Sequence, residues 1–458
     1  TNVNKNIVLI RDLSIIFALQ TERDMNIAHL HSIFLSCSEI TTDSRSCKKN
    51  ALFIALRGES FNGNAYATIA LTNGCAYALV DDKKHYNADD DRYLWTDDCL
   101  KTLQQLANYH RKQFSIPVLG ITGTNGKTTT KELIAAVLGS QYAVLYTQGN
   151  LNNHIGVPLT LLQLKPHHEF AIIEMGANHK GEIKELSEIA EPNYGLITNI
   201  GKAHIEGFGS LDGVKQTKEE LYAYLSKQSN GLIFRFADDV NLQALSEDKD
   251  FAQMTYGIEK EGDVTGRITS LTPFVHFEWK RKEDSAYQQV ETHLIGSYNL
   301  PNFLAAISIG LYFKVPVQSI NRALSHYAPQ NNRSQLKKTK RNTLIIDAYN
   351  ANPTSMQASL KNFMELPESH KVVILGAMGE LGSISQEEHR KILKLIEKAH
   401  FEQVFLVGQN FKNLNSKYPS YSTVEELALH LQEHPLQNKT ILIKGSRSMQ
   451  LEKAFPFL

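Results

Sequence analysis

Short apolar runs alternating with helical periodicities occupy most of this chain. Leu100, Leu103, Leu106 and Ala107 recur at helical spacing, and Ile116–Thr122 follows as a continuous apolar run of strand length. Further runs come at Ala143–Thr147, Phe170–Met175, Tyr194–Ile200 and Gly231–Phe236, with helical patterns between them. Strands and helices in alternation imply a parallel sheet with helices on both faces. Residues Val264–Leu294 break the rhythm: Val275, Phe277 and Trp279 alternate with polar positions and no long helix intervenes, which predicts an antiparallel annex. Four more runs, Thr343–Asp347, Lys371–Leu375, Gln403–Val407 and Thr440–Lys444, form a second α/β unit. Between its second and third runs, Ser385-Gln386-Glu387-Glu388 has the form of a capping box and predicts a helix running toward Ala399.

Two breaks divide the pattern. Seven acidic residues crowd among three basic ones in Asp81–Asp98, and the apolar pattern lapses again near Tyr327–Gln330. A length of 458 residues, at about 150 residues per domain, agrees with three domains. The expected fold is therefore α/β, with a smaller N-terminal α/β domain over 1–98. A central domain over 99–328 has a P-loop-type parallel sheet with the antiparallel annex, and a C-terminal Rossmann-like α/β domain covers 329–458. The last lacks a dinucleotide fingerprint, since Gly376, Gly379 and Gly382 are spaced by threes.

Charge and composition narrow the function. Forty-eight Lys and Arg balance 48 Asp and Glu, which disfavours a protein that wraps nucleic acid. Ser60–Val80 and Thr292–Phe313 carry no formal charge but are interrupted by Asn, Gly and Pro, so no membrane insertion is expected. Thr1–Gln20 has Lys5, Arg11 and Asp12 and no uninterrupted apolar run of leader type, which leads to the expectation of a cytoplasmic protein. Cys37, Cys47, Cys75 and Cys99 form neither a disulfide framework nor a Cys-x-x-Cys pair.

The strongest chemical signal is Gly120-Ile-Thr-Gly-Thr-Asn-Gly-Lys-Thr-Thr-Thr130, set between a strand and a helix whose apolar face is Leu133, Ile134, Val137 and Leu138. Glycines let backbone N–H groups turn inward around phosphate oxygens, and the helix N-terminus adds partial positive charge. Lys127 then serves the β and γ phosphates and Thr128 a magnesium ion, making ATP the default ligand. The spacing is a variant, with Ile121 where the first glycine of the usual loop stands and Gly123 instead. Glu174 and His204 follow the ends of later strands, where ligands of an open parallel sheet bind. By spacing alone each is equally a metal-facing group or a satisfied polar residue at a strand end.

Gly123-Thr-Asn-Gly-Lys-Thr-Thr129, Gly149-Asn-Leu-Asn-Asn-His-Ile-Gly-Val-Pro158, Glu174-Met-Gly-Ala-Asn178 and Thr198-Asn-Ile-Gly-Lys-Ala-His204 together resemble the ATP-dependent Mur ligases. Asp347-Ala-Tyr-Asn-Ala-Asn-Pro-Thr-Ser-Met356 and Lys444-Gly-Ser-Arg447 look like the branch of that family that adds a dipeptide. The resemblance spans all three expected domains. It implies that ATP phosphorylates the terminal carboxylate of a UDP-N-acetylmuramoyl-tripeptide and that the amine of D-alanyl-D-alanine attacks the acyl phosphate, in peptidoglycan precursor synthesis. A sibling adding another amino acid, or a folylpolyglutamate synthase-like ligase, is the alternative. The chain has Asn350-Ala-Asn-Pro353 where the diaminopimelate-adding siblings resemble one another in Asp-Asn-Pro-Arg, which favours the dipeptide.

The resemblance also assigns residues. Gly123, Thr124, Asn125, Gly126, Lys127, Thr128 and Thr129 belong to the ATP loop; Asn302 and Arg333 face the adenine and γ-phosphate sides, and Asp347 the ribose. For Asp347 a helix-capping role is as compatible with the spacing. Thr42, Asp43, Ser44 and Arg45, with Arg57 and Gly58, belong to the uridine-nucleotide site. Asn153, Tyr349 and Asn352 belong to the acceptor region, Tyr349 and Asn352 facing the incoming dipeptide or the nucleotide. Thr128, Glu174, His204 and Lys218 form the metal set, Lys218 as a carbamate derived from carbon dioxide, within Gly213-Val-Lys-Gln-Thr-Lys-Glu-Glu220. The resemblance implies Lys127, Glu174, His204 and Lys218 as the catalytic group, in a monomer. Three departures stand out: Tyr298 in Gly296-Ser-Tyr-Asn-Leu-Pro-Asn302 where the family often has His, Phe236 before Asp238-Asp239 where it often has Asn, and His154 where it often has an acidic residue.

Overall fold

A computed structural model describes residues 26–329 and 332–458; the reading of Thr1–Gln20 falls outside them. Among the described residues no helix is long and apolar enough to cross a membrane. The chain divides into two compact units. One takes the residues up to Ser115 with Gln148–Pro166 and Glu188–Glu191; the other takes Ile116–Thr147, His167–Ser187 and Pro192–Leu458.

The first unit holds a parallel sheet of four short strands, β1 (Ile40–Thr41), β2 (Leu52–Ile54), β3 (Tyr77–Val80) and β4 (Tyr93–Trp95), in that spatial order. Strand β4 lies within the acidic run, and the helix Cys99–Arg111 that follows belongs to this unit. Asp98 caps that helix by accepting the Lys101 N–H, while His110 and Arg111 stand in its last turn, where cations offset the helix dipole. The buried Arg111 guanidinium is satisfied by the carbonyls of Phe114, Ala190 and Glu191.

The second unit contains two sheets. Its larger one comprises β5 (Val118–Thr122), β6 (Val144–Tyr146), β7 (Phe170–Glu174), β8 (Tyr194–Ile197), β9 (Leu232–Phe236), β10 (Ala252–Gly257), β11 (Val264–Ser270), β12 (His276–Arg281) and β13 (Gln288–Glu291). The spatial order is β13-β12-β11-β10-β9-β8-β5-β7-β6. Pairing is parallel from β6 to β11 and antiparallel from β11 to β13, so the expected annex continues one edge of the same sheet. Every residue of β5 and β7 is buried, as a sheet covered on both faces requires. Strand order reverses beside β5, which puts the loops after β5 and β8 at the crevice where such sheets bind ligands.

The uncharged stretch Thr292–Phe313 supplies the core helix Leu300–Tyr312, buried continuously from Asn302 to Gly310. A Cβ at Gly310 would lie 2.6 Å from Val137 Cγ1, so the missing side chain lets this helix approach the helix Lys127–Gly139 closely. That contact delivers Asn302 to the phosphate loop.

The second sheet of this unit comprises β14 (Gln335–Lys338), β15 (Thr343–Asp347), β16 (Lys371–Gly376), β17 (Gln403–Val407), β18 (Ser420–Tyr421) and β19 (Thr440–Lys444), ordered β14-β15-β19-β16-β17-β18. Only the β14–β15 pair is antiparallel. Apolar layers lie around Met356, Leu360, Phe363 and Ile392 on one side and Leu427, Leu431 and Leu451 on the other. One local expectation fails. The helix Ser385–Glu397 forms, but Ser385 is its first residue and not its cap, because a 3-10 turn over Gly382–Ile384 leads directly into it. Ser385 Oγ instead accepts a hydrogen bond from Asn410 Nδ2 at 2.9 Å.

Candidate active site

Strand β5 runs into a loop that turns at two glycines and then begins the helix Lys127–Gly139 at Lys127. Gly123 has φ 138° and Gly126 φ 80°. Space as well as conformation demands glycine here: a Cβ on Gly123 would sit 2.1 Å from Thr198 Oγ1, and one on Gly126 2.8 Å from Asn302 Oδ1. The loop after β8 clamps the phosphate loop from the side. Asn199 Oδ1 accepts the Asn125 N–H at 3.0 Å and its Nδ2 donates to the Asn125 carbonyl at 3.0 Å, while Thr198 Oγ1 donates to that carbonyl at 2.6 Å. Thr124 and Gly201 exchange two further bonds. Thr198 and Asn199 stand in the family pattern with no role assigned to them; their part in holding the loop emerges only from the fold.

Lys127 donates to the carbonyls of Gly123 at 2.7 Å and Thr124 at 3.2 Å, folding its ammonium back over the loop. Burial pushes its pKa down, opposed by the charge of Glu174 and reinforced by that of Arg333. Thr128 Oγ1 donates to Glu174 Oε1 at 3.1 Å, so the two residues expected to serve a magnesium ion are in direct contact. Glu174 is 1% exposed at the end of β7, and hydroxyl and carboxylate oxygens are the donors this ion prefers. Among the described residues no three His, Cys, Asp or Glu side chains gather as a ready metal cluster.

His204 meets a different carboxylate. It occupies a left-handed conformation, φ 50°, before the short helix Ile205–Phe208, with Nδ1 2.5 Å from Glu380 Oε2. Lys218, on the helix Leu211–Leu225, is 3% exposed and therefore no part of a solvated charge run. Its ammonium lies 5.6 Å from the centre of the Phe208 ring, whose other neighbour is the His204 ring at 6.2 Å. Burial, aided by the positive charge of Lys127, pushes the Lys218 pKa down to about 7. Glu220 in the same motif has a structural task, accepting the N–H groups of Gly181 and Lys184.

From the other sheet of this unit come Arg333, Asp347, Tyr349 and Asn352. Arg333 Cζ lies 3.9 Å from the Tyr349 ring centre, and Arg333 Nε is buried without a hydrogen-bond partner. An orphaned buried guanidinium N–H near the phosphate loop is the mark of a site built for an anion. Asp347 ends β15 and meets Lys444 Nζ at 2.6 Å, so it caps no helix. Asn352 does cap one, the helix Pro353–Glu365, and its Nδ2 donates to Asn125 Oδ1 at 2.7 Å. Asn302 is held between Thr130 Oγ1 at 3.0 Å and Asn299 Oδ1 at 2.9 Å. Tyr298, the departure from His, sets its hydroxyl 3.3 Å from Ser334 Oγ.

The remaining residues lie in the first unit, those from Thr42 to Gly58 just after its strands β1 and β2. Asp43 grips its neighbour Arg45, Nη2 to Oδ2 at 2.8 Å, and this pairing draws the Asp43 pKa down to about 2. Ser44 is buried and its carbonyl accepts Asn73 Nδ2; Thr42 lies between β1 and Asp43. Arg57 Nε is 2.8 Å from Asp81 Oδ1, and Gly58 underlies the Phe61 ring, which a Cβ would meet at 2.4 Å. Asn153 Oδ1 accepts the N–H groups of Ile155 and Gly156, ahead of the short helix Gly156–Leu161, whose cap position is Ile155.

A glycine loop opening a helix at the switch point of a parallel sheet, with an adjoining Thr–Glu pair and convergent cations, defines a P-loop-type nucleotide-binding protein. Family descriptions agree segment by segment: "Mur ligase family, catalytic domain" matches 36–111, "Mur ligase middle domain" 121–310 and "Mur ligase, glutamate ligase domain" 332–447. The chain belongs to the Mur ligase family. It is 34% identical over 427 residues to the UDP-N-acetylmuramoyl-tripeptide--D-alanyl-D-alanine ligase of Bacillus subtilis, covering 90% of this chain and 91% of that one. To the Escherichia coli protein of the same name it is 31% identical over 430 residues, covering 92% and 93%. Among solved structures, MurF from Acinetobacter baumannii matches with TM-score 0.83 and 30% identity over 94% of this chain and 98% of that one. MurF ligase from Thermotoga maritima, solved with ADP, matches with TM-score 0.82 and 25% identity over 93% and 97%. Folylpolyglutamate synthase of Mycobacterium tuberculosis, at 14% identity and TM-score 0.59, shares the fold.

Proposed function

We propose that this chain joins D-alanyl-D-alanine to a UDP-N-acetylmuramoyl-tripeptide at the expense of ATP. The observation that carries the reading is the phosphate loop, with Thr128 on Glu174 and Arg333 Nε left for an anion, in a chain whose relatives of similar length bear that ligase name. The reading includes three domains with the divisions 1–98, 99–328 and 329–458, a monomer, and a cytoplasmic location, where ATP is supplied.

A carboxylate is a poor electrophile, and phosphorylation supplies it with a leaving group. A carboxylate oxygen of the tripeptide attacks the γ-phosphorus and ADP departs; the dipeptide amine, having lost a proton, attacks the acyl carbon and phosphate departs. The protein's task is to offset phosphate charge and align the reactants. In this reading Lys127, Arg333 and the N–H groups from Gly123 to Thr129 take the phosphates, Asn302 and Asp347 the nucleoside side. Thr128 and Glu174 supply oxygens to magnesium, which offsets phosphate charge when bound, and His204 with carbamylated Lys218 completes the metal set. A pKa near 7 at Lys218 supports that modification, since only the neutral amine reacts with carbon dioxide. Thr42, Asp43, Ser44, Arg45, Arg57 and Gly58 take the uridine nucleotide, and Asn153, Tyr349 and Asn352 lie toward the acceptor.

The test is phosphate release with ATP, magnesium and the UDP-tripeptide, comparing D-alanyl-D-alanine with D-alanine, diaminopimelate and no amine. Release that needs both the tripeptide and the dipeptide is expected. Faster release with another amine would move the chain to a sibling specificity, and none with any pairing would overturn the ligase reading.

A further inference from the structure

The phosphate-loop helix carries a second lysine one turn beyond Lys127. Lys131 is 1% exposed, although a buried ammonium costs several kcal/mol unless it is compensated. An apolar residue would pack this position at lower cost, so the charge needs a reason.

Its contacts supply one. Lys131 Nζ donates to the Thr147 carbonyl at 2.6 Å and lies 3.9 Å from Glu174 Oε2. Thr147 Oγ1 in turn accepts the Glu174 N–H at 3.0 Å, and Thr147 is fully buried. Lysine, threonine and glutamate thus close a triangle around the end of β7. The two Glu174 oxygens face different neighbours: Oε1 accepts a hydrogen bond from Thr128, and Oε2 has the Lys131 ammonium as an ionic neighbour at 3.9 Å, beyond hydrogen-bond reach. On its far side Lys131 lies 4.0 Å from Glu132, which is hydrogen-bonded by the Tyr327 hydroxyl, so the ammonium is itself anchored.

We propose that Lys131 is a positioning residue: it holds Oε2 of Glu174, and through Thr147 the backbone beneath it, so that Oε1 is presented beside Thr128 to the divalent cation of the nucleotide. This rests on reading Thr128 and Glu174 as the cation site. Lys131 has no part in binding phosphate directly; Lys127 and Arg333 do that.

ADP affinity measured by calorimetry with EDTA and again with saturating manganese gives the cation's contribution as the ratio of the two constants. Wild type should show a large ratio, and no enhancement by manganese would refute the cation site itself. Lys131→Met should leave the affinity in EDTA within about twofold and cut the manganese ratio about tenfold or more, as loss of a residue that orients a ligand does. In Glu174→Gln the ratio should be low already, and adding Lys131→Met should lower it no further. An unchanged ratio in Lys131→Met, an additive loss in the double variant, or an equal loss in EDTA would each overturn the proposal. Should Lys131→Met fail to fold, the double variant decides: recovered folding is expected once the unbalanced carboxylate is gone, and continued failure would make Lys131 merely structural.

Discussion

Asn352 Nδ2 donates to Asn125 Oδ1 across 2.7 Å, joining the first turn of the helix Pro353–Glu365 to the middle of the phosphate loop. The same side chain caps its helix through Oδ1, which accepts the Ser355 N–H at 2.9 Å. The two tasks use different atoms and can be separated. Asn352→Asp keeps the cap but cannot donate to Asn125. It should leave the melting temperature near wild type and lower kcat/KM for ATP about fivefold, the equivalent of ~1 kcal/mol for one hydrogen bond. Asn352→Ala should add a stability loss of about 1 kcal/mol from the cap. Equal kcat/KM for wild type and Asn352→Asp would show that the link is absent during turnover.

Gly123→Ala should disable the loop. It combines φ 138° with a Cβ placed 2.1 Å from Thr198 Oγ1. Backbone strain alone costs about 1–3 kcal/mol, and the clash must also move the clamp. Gly149→Ala is the control: φ is 55° but nothing lies within 4 Å of its Cβ. Urea midpoints and ADP binding should fall clearly for the first and little for the second; equal effects would assign the whole cost to backbone conformation.

Lys127→Met should reduce kcat by about 100-fold or more, the scale on which loss of one preorganised charge-stabilising donor acts. The variant should retain its fold, because an uncharged chain of similar length removes a burial cost. Circular dichroism with steady-state kinetics checks both, and near-normal turnover would remove Lys127 from the phosphate site.

Lys218 predicts a pH-dependent modification. With its pKa pushed down to about 7, the amine is neutral in the folded protein above that pH, whereas an unfolded lysine stays protonated until about 10.4. The unfolded state binds more protons in that window, so the stability cost of burying Lys218 shrinks as pH rises through it and is largest once pH falls below about 7. Carbon-13 NMR with labelled bicarbonate should show a carbamate signal that strengthens from pH 6.5 to 8.5 and is absent in Lys218→Met. No signal in the wild-type protein at pH 8.5 would exclude the carbamate.

The first unit carries its own acid sensitivity. His110 Nε2 faces the Leu164 carbonyl at 3.1 Å and so holds a proton; its Nδ1 accepts from His31 Nε2 at 2.9 Å. Burial pushes both pKa values below 6.5. The folded state therefore binds fewer protons than the unfolded one just below pH 6.5, and stability is full above that value and declines as pH falls through the folded values. Thermal melts from pH 8 to 5 should show the decline, smaller in His31→Gln, which keeps a donor for Nδ1 and cannot titrate. Identical slopes would locate the sensitivity elsewhere.

Much of this molecule was legible in the chain because its chemistry is local. The runs Thr343–Asp347, Gln403–Val407 and Thr440–Lys444 are strands with those same bounds, since a strand buried on both faces has to be continuously apolar. The phosphate loop was legible for a similar reason: its glycines, lysine and threonine act within eleven consecutive residues, Gly120–Thr130. The capping box at Ser385 misled, because whether a serine stands before a helix or inside it depends on the turn that precedes it.

What the tertiary structure alone decided are relationships across long separations. Asn199 grips Asn125 from 74 residues away, Lys444 neutralises Asp347 across a parallel strand pair, and Glu380 meets His204. Local pattern carries side-chain type and backbone preference, but a buried charge chooses its partner through strand order and helix packing, which bring distant residues together. Lys131 shows the difference most plainly. In sequence it is a polar residue beside a glutamate on a helix; in the folded protein it is a buried cation at the back of Glu174.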